Sequence, residues 1–363
     1  MISDSSDIAL ETGPRGRRLC WMVLDRLHPE SDSSPFWRAL LNDDSDEMLN
    51  VLNTSRPAID LNALSDPQSE ELLLNCVADS VDSARYWQDP DDGDMALADP
   101  RLATALAPIA ARVAAAAGAV WWSEPMHPSS QVFVDRREVG DAPPSFQGAH
   151  VVLSVWRDQV TGPGKRHKGQ WMGGPWWSTP VWSILASDMA RYGETLPLLA
   201  RTTRSRPNLG AVELLLEEDR VGAPAALCWP VRAQDQVRVF EIDRPDNWLQ
   251  LVERYGIDVT GKRMVQWSAA TGLERRWVIP DWSSVAEDYD AVHLTLNGYL
   301  TTSGRALGLD SDSATFLAGW NPDESYWLSD VLELNGSPVL WVSQEHGRAR
   351  EWRPAHEVPR NAS

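Results

Sequence analysis

The chain has 363 residues, with 52 Asp and Glu against 33 Lys and Arg and a formal net charge of −19. Its 43% hydrophobic and 23% charged content is that of a globular protein, as two domains or one large one. So acidic a surface repels phosphate backbones and disfavours nucleic-acid binding, and no run of 18 apolar residues is present to span a membrane.

The first 18 residues, MISDSSDIALETGPRGRR, are polar and acidic before an Arg cluster. They lack the basic start and apolar run of a signal peptide, so they read as a disordered tail on a cytoplasmic protein. From 19 to 125 the pattern is helical and acidic. In SEELLLNCVADSVDSARYW, apolar residues recur at spacings of three and four, with Asp66 or Ser69 as the cap. In DPRLATALAPIAARVAAAAG, Asp99 caps, Pro100 suits the first helical position and Gly118 ends the helix. The acidic runs NDDSDE (42–47) and DPDDGD (89–94) read as solvated loops. DPDDGD lacks the length and closing Glu of an EF-hand loop, and no metal site is expected. Residues 1–130 carry 22 acidic residues against 9 arginines, a surface that would suit a basic protein partner.

From Trp121 the pattern changes to short strands: QVFVD, HVVLSVW, VELLLEE, AALCWPV, VRVFEID, RMVQW, RWVIPDW, VHLTLNGYL, ATFLAGW and PVLWVS. Two helices interrupt them, PDNWLQLVERYG and DWSSVAEDY. The expected class is α+β, a helical N-terminal region followed by a mainly antiparallel, strand-rich domain over 126–345, with a tail at 346–363. Three distant cysteines, Cys20, Cys76 and Cys228, have neither metal nor disulfide spacing. Textual motifs for phosphate loops, nucleophile elbows and zinc helices are missing.

Trp is unusually frequent, 19 residues against 6 Tyr and 5 Phe, and it clusters. Trp121–Pro125 and Trp176–Pro180 both read Trp-Trp-Ser-x-Pro. On a strand, adjacent rings face opposite sides, so each pair is either buried on both faces or leaves one ring free to stack. For Trp176 and Trp177 the expectation is one ring in the core and one flanking a cleft. Near them, Arg157 closes HVVLSVW, the loop 161–174 carries Lys165, Arg166 and Lys168, and Ser178 and Thr179 follow the Trp pair. Such a positive island suits a small anionic ligand: guanidinium for phosphate or carboxylate, hydroxyls for a ribose or amide, indole for a flat ring. Further on, His293 and Thr295 share one strand face. Glu324 lies beyond an Asn-Pro-Asp turn between Trp320 and Trp327, where desolvation would raise its pKa. Each of these also fits a bland role as a packed or solvated structural residue.

The order of an Arg on an early strand, a Ser-Thr segment beside an aromatic and a late Glu resembles the ADP-ribosyltransferase fold. The resemblance covers roughly 150–335. It implies that NAD is the substrate, that Arg157 orients it and that Ser178 and Thr179 brace the nicotinamide pocket. Glu324 would hydrogen-bond the ribose as the glycosidic bond opens. The family's Ser-Thr-Ser is Trp-Ser-Thr-Pro here, and its Glu-x-Glu is Pro-Asp-Glu-Ser. The layout PDW…DYDAVHLT…GYL also resembles that of uncharacterised bacterial proteins. Two other readings remain open: a non-catalytic acidic interaction protein of immunity or adaptor type, and a carbohydrate or nucleobase binder using stacked tryptophans. An enzyme needs a pocket where Arg157, Ser178 and Glu324 converge; an interaction protein needs an exposed apolar patch.

Overall fold

The computed structural model describes residues 9–29, 34–42, 44–85, 89–136, 143–162, 177–180, 199–207, 209–218, 224–234, 236–346 and 349–357. Its first part is helical: α1 Pro14–Leu27, α2 Pro35–Asn42, α3 Ser45–Ser55, α4 Ser69–Asp82, α5 Asp92–Leu97 and α6 Pro100–Ala114. The caps follow local chemistry. The Asp44 carboxylate accepts from the amides of Asp46 and Glu47, Asp91 from that of Asp94, and Asp99 from that of Arg101. Pro100 takes the first helical position of α6 as expected.

The helical part begins earlier than the sequence suggests. A 3-10 turn at Leu10–Thr12 and the start of α1 lie inside the stretch expected as tail, and Leu10 and Arg15 are buried. Residues 1–8 lie outside the described residues. The acidic run 89–94 is not simply solvated: Asp94 is buried and ion-paired with Arg15 and Arg18.

The second part is α+β, in the order β1 Gln131–Asp135, α7 Ala149–Thr161, β2 Arg201–Thr203, β3 Ser205–Arg206, β4 Gly210–Ala211, β5 Ala225–Ala233, β6 Val239–Ile242, α8 Pro245–Tyr255, β7 Gly256–Asp258, α9 Thr260–Thr271, β8 Arg276–Pro280, α10 Trp282–Asp288, β9 Ala291–Leu294, α11 Leu296–Thr302, β10 Ala306–Gly308, β11 Ser313–Phe316, β12 Glu324–Trp327, β13 Leu332–Leu334, β14 Val339–His346 and β15 Ala349–Pro354. The large sheet runs β15-β14-β5-β1-β2-β12-β9-β6, with β13 also on β5. All its pairs are antiparallel except β6 with β9. A second sheet runs β10-β11-β8-β7. The segment 349–354, expected as tail, is strand, and Trp352 is buried.

Three expected strands are helical, and a fourth, VHLTLNGYL, is strand only to Leu294 and helix from Leu296. HVVLSVW belongs to α7, where Leu153, Trp156 and Val160 bury one stripe at helical spacing. RMVQW belongs to α9, and Val212–Leu214 is a 3-10 turn.

One core joins both parts. It runs through Trp21, Leu73 and Ile109 of the helices, then Ile242, Leu294 and Phe316 of the strands, to Trp352. The junction expected near 118–130 is itself packed at its start. The turn Ala117–Ser123 lies so close to α4 that a Cβ on Gly118 would meet Glu70 Cα at 2.5 Å. Trp121 and Trp122 are both buried there, with the Arg204 and Arg206 guanidiniums over the Trp121 ring at 5.2 and 5.0 Å. Successive residues of a 3-10 turn point about 120° apart, so adjacent rings can both be enclosed.

Candidate functional site: buried carboxyls around Arg201

β2 and β12 pair antiparallel, with Glu324 opposite Thr203, Ser325 opposite Thr202 and Tyr326 opposite Arg201. Strand alternation then puts Arg201, Glu324 and Tyr326 on one face of the sheet. Thr202 and Ser325 point to the other. The first face looks into the main core, which includes Tyr326 and its β9 neighbour Val292.

Arg201 Nη1 stands 3.2 Å from Glu324 Oε1. The carboxylate side chain is 1% exposed, whereas the guanidinium side chain keeps 42%. Glu324 also accepts from the Asn321 amide at 3.3 Å and side chain at 3.4 Å, while the Trp320 indole donates to its carbonyl at 2.9 Å. The turn that makes this possible places Asp323 at φ 57, a left-handed conformation that Asp tolerates. Burial pushes the Glu324 carboxyl up to about 7; Arg201 opposes the rise and the Glu213 charge adds to it.

A second carboxyl behaves alike. Glu218 is pushed up to about 8, chiefly by burial, against the pull of a hydrogen bond from the Tyr299 hydroxyl at 2.9 Å. It also accepts from the Gly319 amide at 3.1 Å, and its own amide donates to Asn321 Oδ1 at 3.0 Å. Asn321 thus bridges the two carboxyl-bearing residues. A third, Glu213, is buried but neutralised by Arg136 at 3.0 Å. Two carboxyls that exchange protons near neutral pH beside a half-exposed guanidinium form a centre fit for anion binding and acid–base chemistry.

Ser178 and Thr179 belong to its wall. The Ser178 amide donates to Ala318 O at 3.0 Å, the Ala318 amide returns a bond to Ser178 Oγ at 3.0 Å, and the Trp282 indole donates to Ser178 O at 3.0 Å. Ser178 is thereby a brace, with its hydroxyl committed. Thr179 is buried and hydrogen-bonds Tyr326, which also bonds Arg201, giving a chain Thr179–Tyr326–Arg201–Glu324. Trp177 is half-buried and lies on Gly319: a Cβ there would meet its Cγ at 2.0 Å. Trp176 and the basic residues Lys165, Arg166 and Lys168 lie outside the described residues.

Arg157 is elsewhere. It sits on α7, 49% exposed, paired at 3.1 Å with Asp281, which caps α10. Arg157 is expected on a strand because HVVLSVW is rich in β-branched and aromatic residues. The helix is set from afar: both Asp330 oxygens accept, at 2.9 Å, from the amides of Gly148 and Ala149 at its start. Arg201 is the arginine that meets Glu324.

His293 is separated from Glu324 by the sheet. It stands opposite Ser325 and Glu241 on the other face. Its Nδ1 is 2.6 Å from Glu241 Oε2 and its Nε2 3.3 Å from Asp323 Oδ1. Asp323 accepts in addition from Arg204 Nε at 2.5 Å and from Thr203 Oγ1 at 3.0 Å. Burial alone would lower the imidazole, but the bonds to Asp323 and Glu241 override it and raise His293 to about 9. It is an imidazolium at neutral pH and donates from both nitrogens. Thr295 lies just beyond β9 and caps α11 through the Gly298 amide at 2.9 Å.

Arg201, Glu218 and Asn321 escaped the sequence reading, since their meeting depends on cross-strand register. The one local hint is Arg-Thr-Thr-Arg-Ser-Arg at 201–206, three guanidiniums in six residues of an arginine-poor neighbourhood of strands. Among the described residues no group of three or more His, Cys, Asp or Glu could hold a metal, and no single helix is long and apolar enough to cross a membrane. The three cysteines are buried free thiols, and burial pushes Cys228 up to about 12. No family model, curated protein or solved structure matches the chain.

Proposed function

We propose that the Arg201–Glu324 centre is the working site of an NAD-consuming transferase or glycohydrolase of ADP-ribosyltransferase type, with Arg201 in the role the resemblance gave to Arg157. The observation that carries this reading is the pairing of a half-exposed guanidinium with a buried carboxyl of raised pKa, on a strand tied to Thr179 through Tyr326. An anionic phosphate of the dinucleotide binds Arg201 and draws it off Glu324. Above about pH 7 Glu324 is a carboxylate. It accepts a ribose hydroxyl and stabilises the positive charge that grows on the sugar as the bond to nicotinamide breaks. Water or an acceptor nucleophile then forms the new bond at that carbon and gives its proton to Glu324. Glu218, with its pKa at about 8, stays largely protonated at pH 7 and adds no competing negative charge.

The test is nicotinamide release from NAD by the wild type, Arg201→Gln and Glu324→Gln, with thermal melting as the control for fold. Turnover by the wild type that falls about 100-fold or more in either variant supports the reading. No release with water or with protein acceptors ends it. A second reading, a non-catalytic acidic partner of a basic protein, is favoured by Trp37 and Leu41, which are 37% and 62% exposed at helical spacing on α2.

A further inference from the structure

We propose that the cavity between the start of α1 and the turn joining α11 to β10 is a second binding site, for a small phosphate-like dianion. The cavity holds about 300 Å³, the lower end of the range for small-molecule pockets, about 300–1,000 Å³. Its lining carries four arginines, Arg15, Arg17, Arg85 and Arg305, against Asp89, Asp91 and Asp94. Two of those carboxylates are committed: Asp94 to Arg15 and Arg18, Asp91 to Arg18 at 2.8 Å. Asp89 and Arg85 are exposed at the rim.

Arg17 and Arg305 have no carboxylate among the described residues. Arg17 Nη1 donates to the Glu11 carbonyl at 3.1 Å, and Arg305 Nη1 to the carbonyls of Thr12 at 3.2 Å and Thr301 at 3.4 Å. Arg17 Nε is enclosed with no hydrogen-bond partner among the described residues. Burial, and then the charges of Arg305 and Arg15, hold the Arg17 guanidinium below the usual arginine value; burial does the same for Arg305. Two cations that repel each other at a partly desolvated place cost stability unless an anion joins them.

The helix end strengthens the case. Negative side chains stabilise a helix N-terminus, yet the first turns of α1 carry Arg15, Arg17 and Arg18, and its first turn has no acid. Asp91 and Asp94 answer Arg15 and Arg18, so the positive end of the dipole adds to Arg17, which meets no carboxylate among the described residues, and favours an anion there. In a chain of net charge −19, no general surface attraction brings an anion here, so binding would come from this local arrangement. The guanidinium forks fit two oxygens of a tetrahedral dianion, the chemistry of free phosphate and of a nucleotide phosphate alike.

The experiment is thermal melting and calorimetric titration of the full chain with sodium phosphate, against sodium chloride of matched ionic strength, with AMP as a separate arm. The expected result is saturable phosphate binding that raises Tm by about 2–4 °C at about 100-fold excess over Kd. Arg17→Gln and Arg305→Gln should each melt at or above the wild type in chloride, since repulsion is relieved, and should lose the phosphate response at least tenfold. AMP binding tighter than phosphate identifies a nucleotide source; equal affinity identifies the free ion. No phosphate response beyond chloride, or a response unchanged in both variants, overturns the proposal. Should a variant fail to fold, hydrogen exchange on the wild type decides. Phosphate-dependent protection must fall on 14–19 and 301–306, and protection confined to other segments overturns it.

Discussion

Glu324→Gln separates the energetics of the buried carboxyl from its chemistry. Gln keeps the volume and the hydrogen-bonding edges that face Asn321 and removes only the charge. In the wild type the carboxyl moves from 4.5 in the unfolded chain to about 7 in the fold, with burial the main cause. The folded state therefore holds a proton that the unfolded chain has released between those two pH values. Stability from this group is fully present below about pH 4.5, falls as pH rises through 7 and is flat above. At about 1.4 kcal/mol per pH unit, the loss by pH 8.5 is on the order of 3 kcal/mol.

Gln carries no such slope. Arg201 loses a counter-ion, but its side chain is 42% exposed and remains solvated. Urea unfolding of both proteins at pH 5.5 and pH 8.5, at one ionic strength, reads the difference directly. His293 also loses stability with rising pH, but does so in both proteins and cancels, while Glu218, raised in part by the Glu324 charge, loses less in the variant and shifts the comparison in the same direction. The variant should be close to the wild type at pH 5.5 and more stable by about 2–3 kcal/mol at pH 8.5. Parallel pH curves for the two proteins would mean that Glu324 is not the buried, late-ionising carboxyl described here.

Two further outcomes follow from the packing around the same strand. His293→Gln leaves Asp323 and Glu241 without their shared cation, so the variant should lose about 2–3 kcal/mol more stability, relative to the wild type, at pH 7 than at pH 10, where the wild-type ring has already lost its proton above about 9; a loss under about 1 kcal/mol at pH 7 would refute a charged brace. Gly319→Ala should cost about 1–3 kcal/mol by urea midpoint, because φ is +74 there and the new Cβ collides with Trp177, and exchange protection of the Ser178 and Ala318 amides should fall with it; unchanged protection would show that Trp177 does not rest on this glycine.

Much of the fold was legible where the chemistry is local. Asp99 and Pro100 mark the start of α6, Asp281 that of α10, and the β-branched and aromatic residues of Gln131–Asp135 mark a strand. What was not legible depends on partners distant in the chain. HVVLSVW reads as a strand because Val and Trp dominate it, and the residue that caps it as a helix is Asp330. Arg15 looks like part of a basic tail until Asp94 is seen beside it. Glu324 stands out for its aromatic flanks, but only one ring lies by it: the Trp320 indole donates to the Glu324 carbonyl, whereas Trp327 points to the opposite face and reaches Thr202 at 2.7 Å on the neighbouring strand. Its cation could not be chosen from sequence, since Arg157 and Arg201 both sit beside apolar runs and only the β2–β12 register selects between them.

That register makes the two faces of the sheet interdependent. A slip of one residue between β2 and β12 would turn Glu324 toward the His293 side and Ser325 toward Arg201. Asp323 opposes the slip. Immediately before β12, in a left-handed turn, it receives His293 from β9, Thr203 at the end of β2, and the Arg204 amide and guanidinium just beyond. Two strands are thus tied to the residue preceding Glu324, and a charged His293 holds its third neighbour through Glu241 of β6. The buried ion network on one face has no access to the carboxyl on the other, yet it sets where that carboxyl stands. A chain that placed Arg201 and Glu324 together only for stability would gain little from such a brace, because replacing a buried ion pair with apolar residues is often neutral or stabilising. A centre whose carboxyl must stay within reach of one particular guanidinium, and keep a pKa near 7, does depend on it.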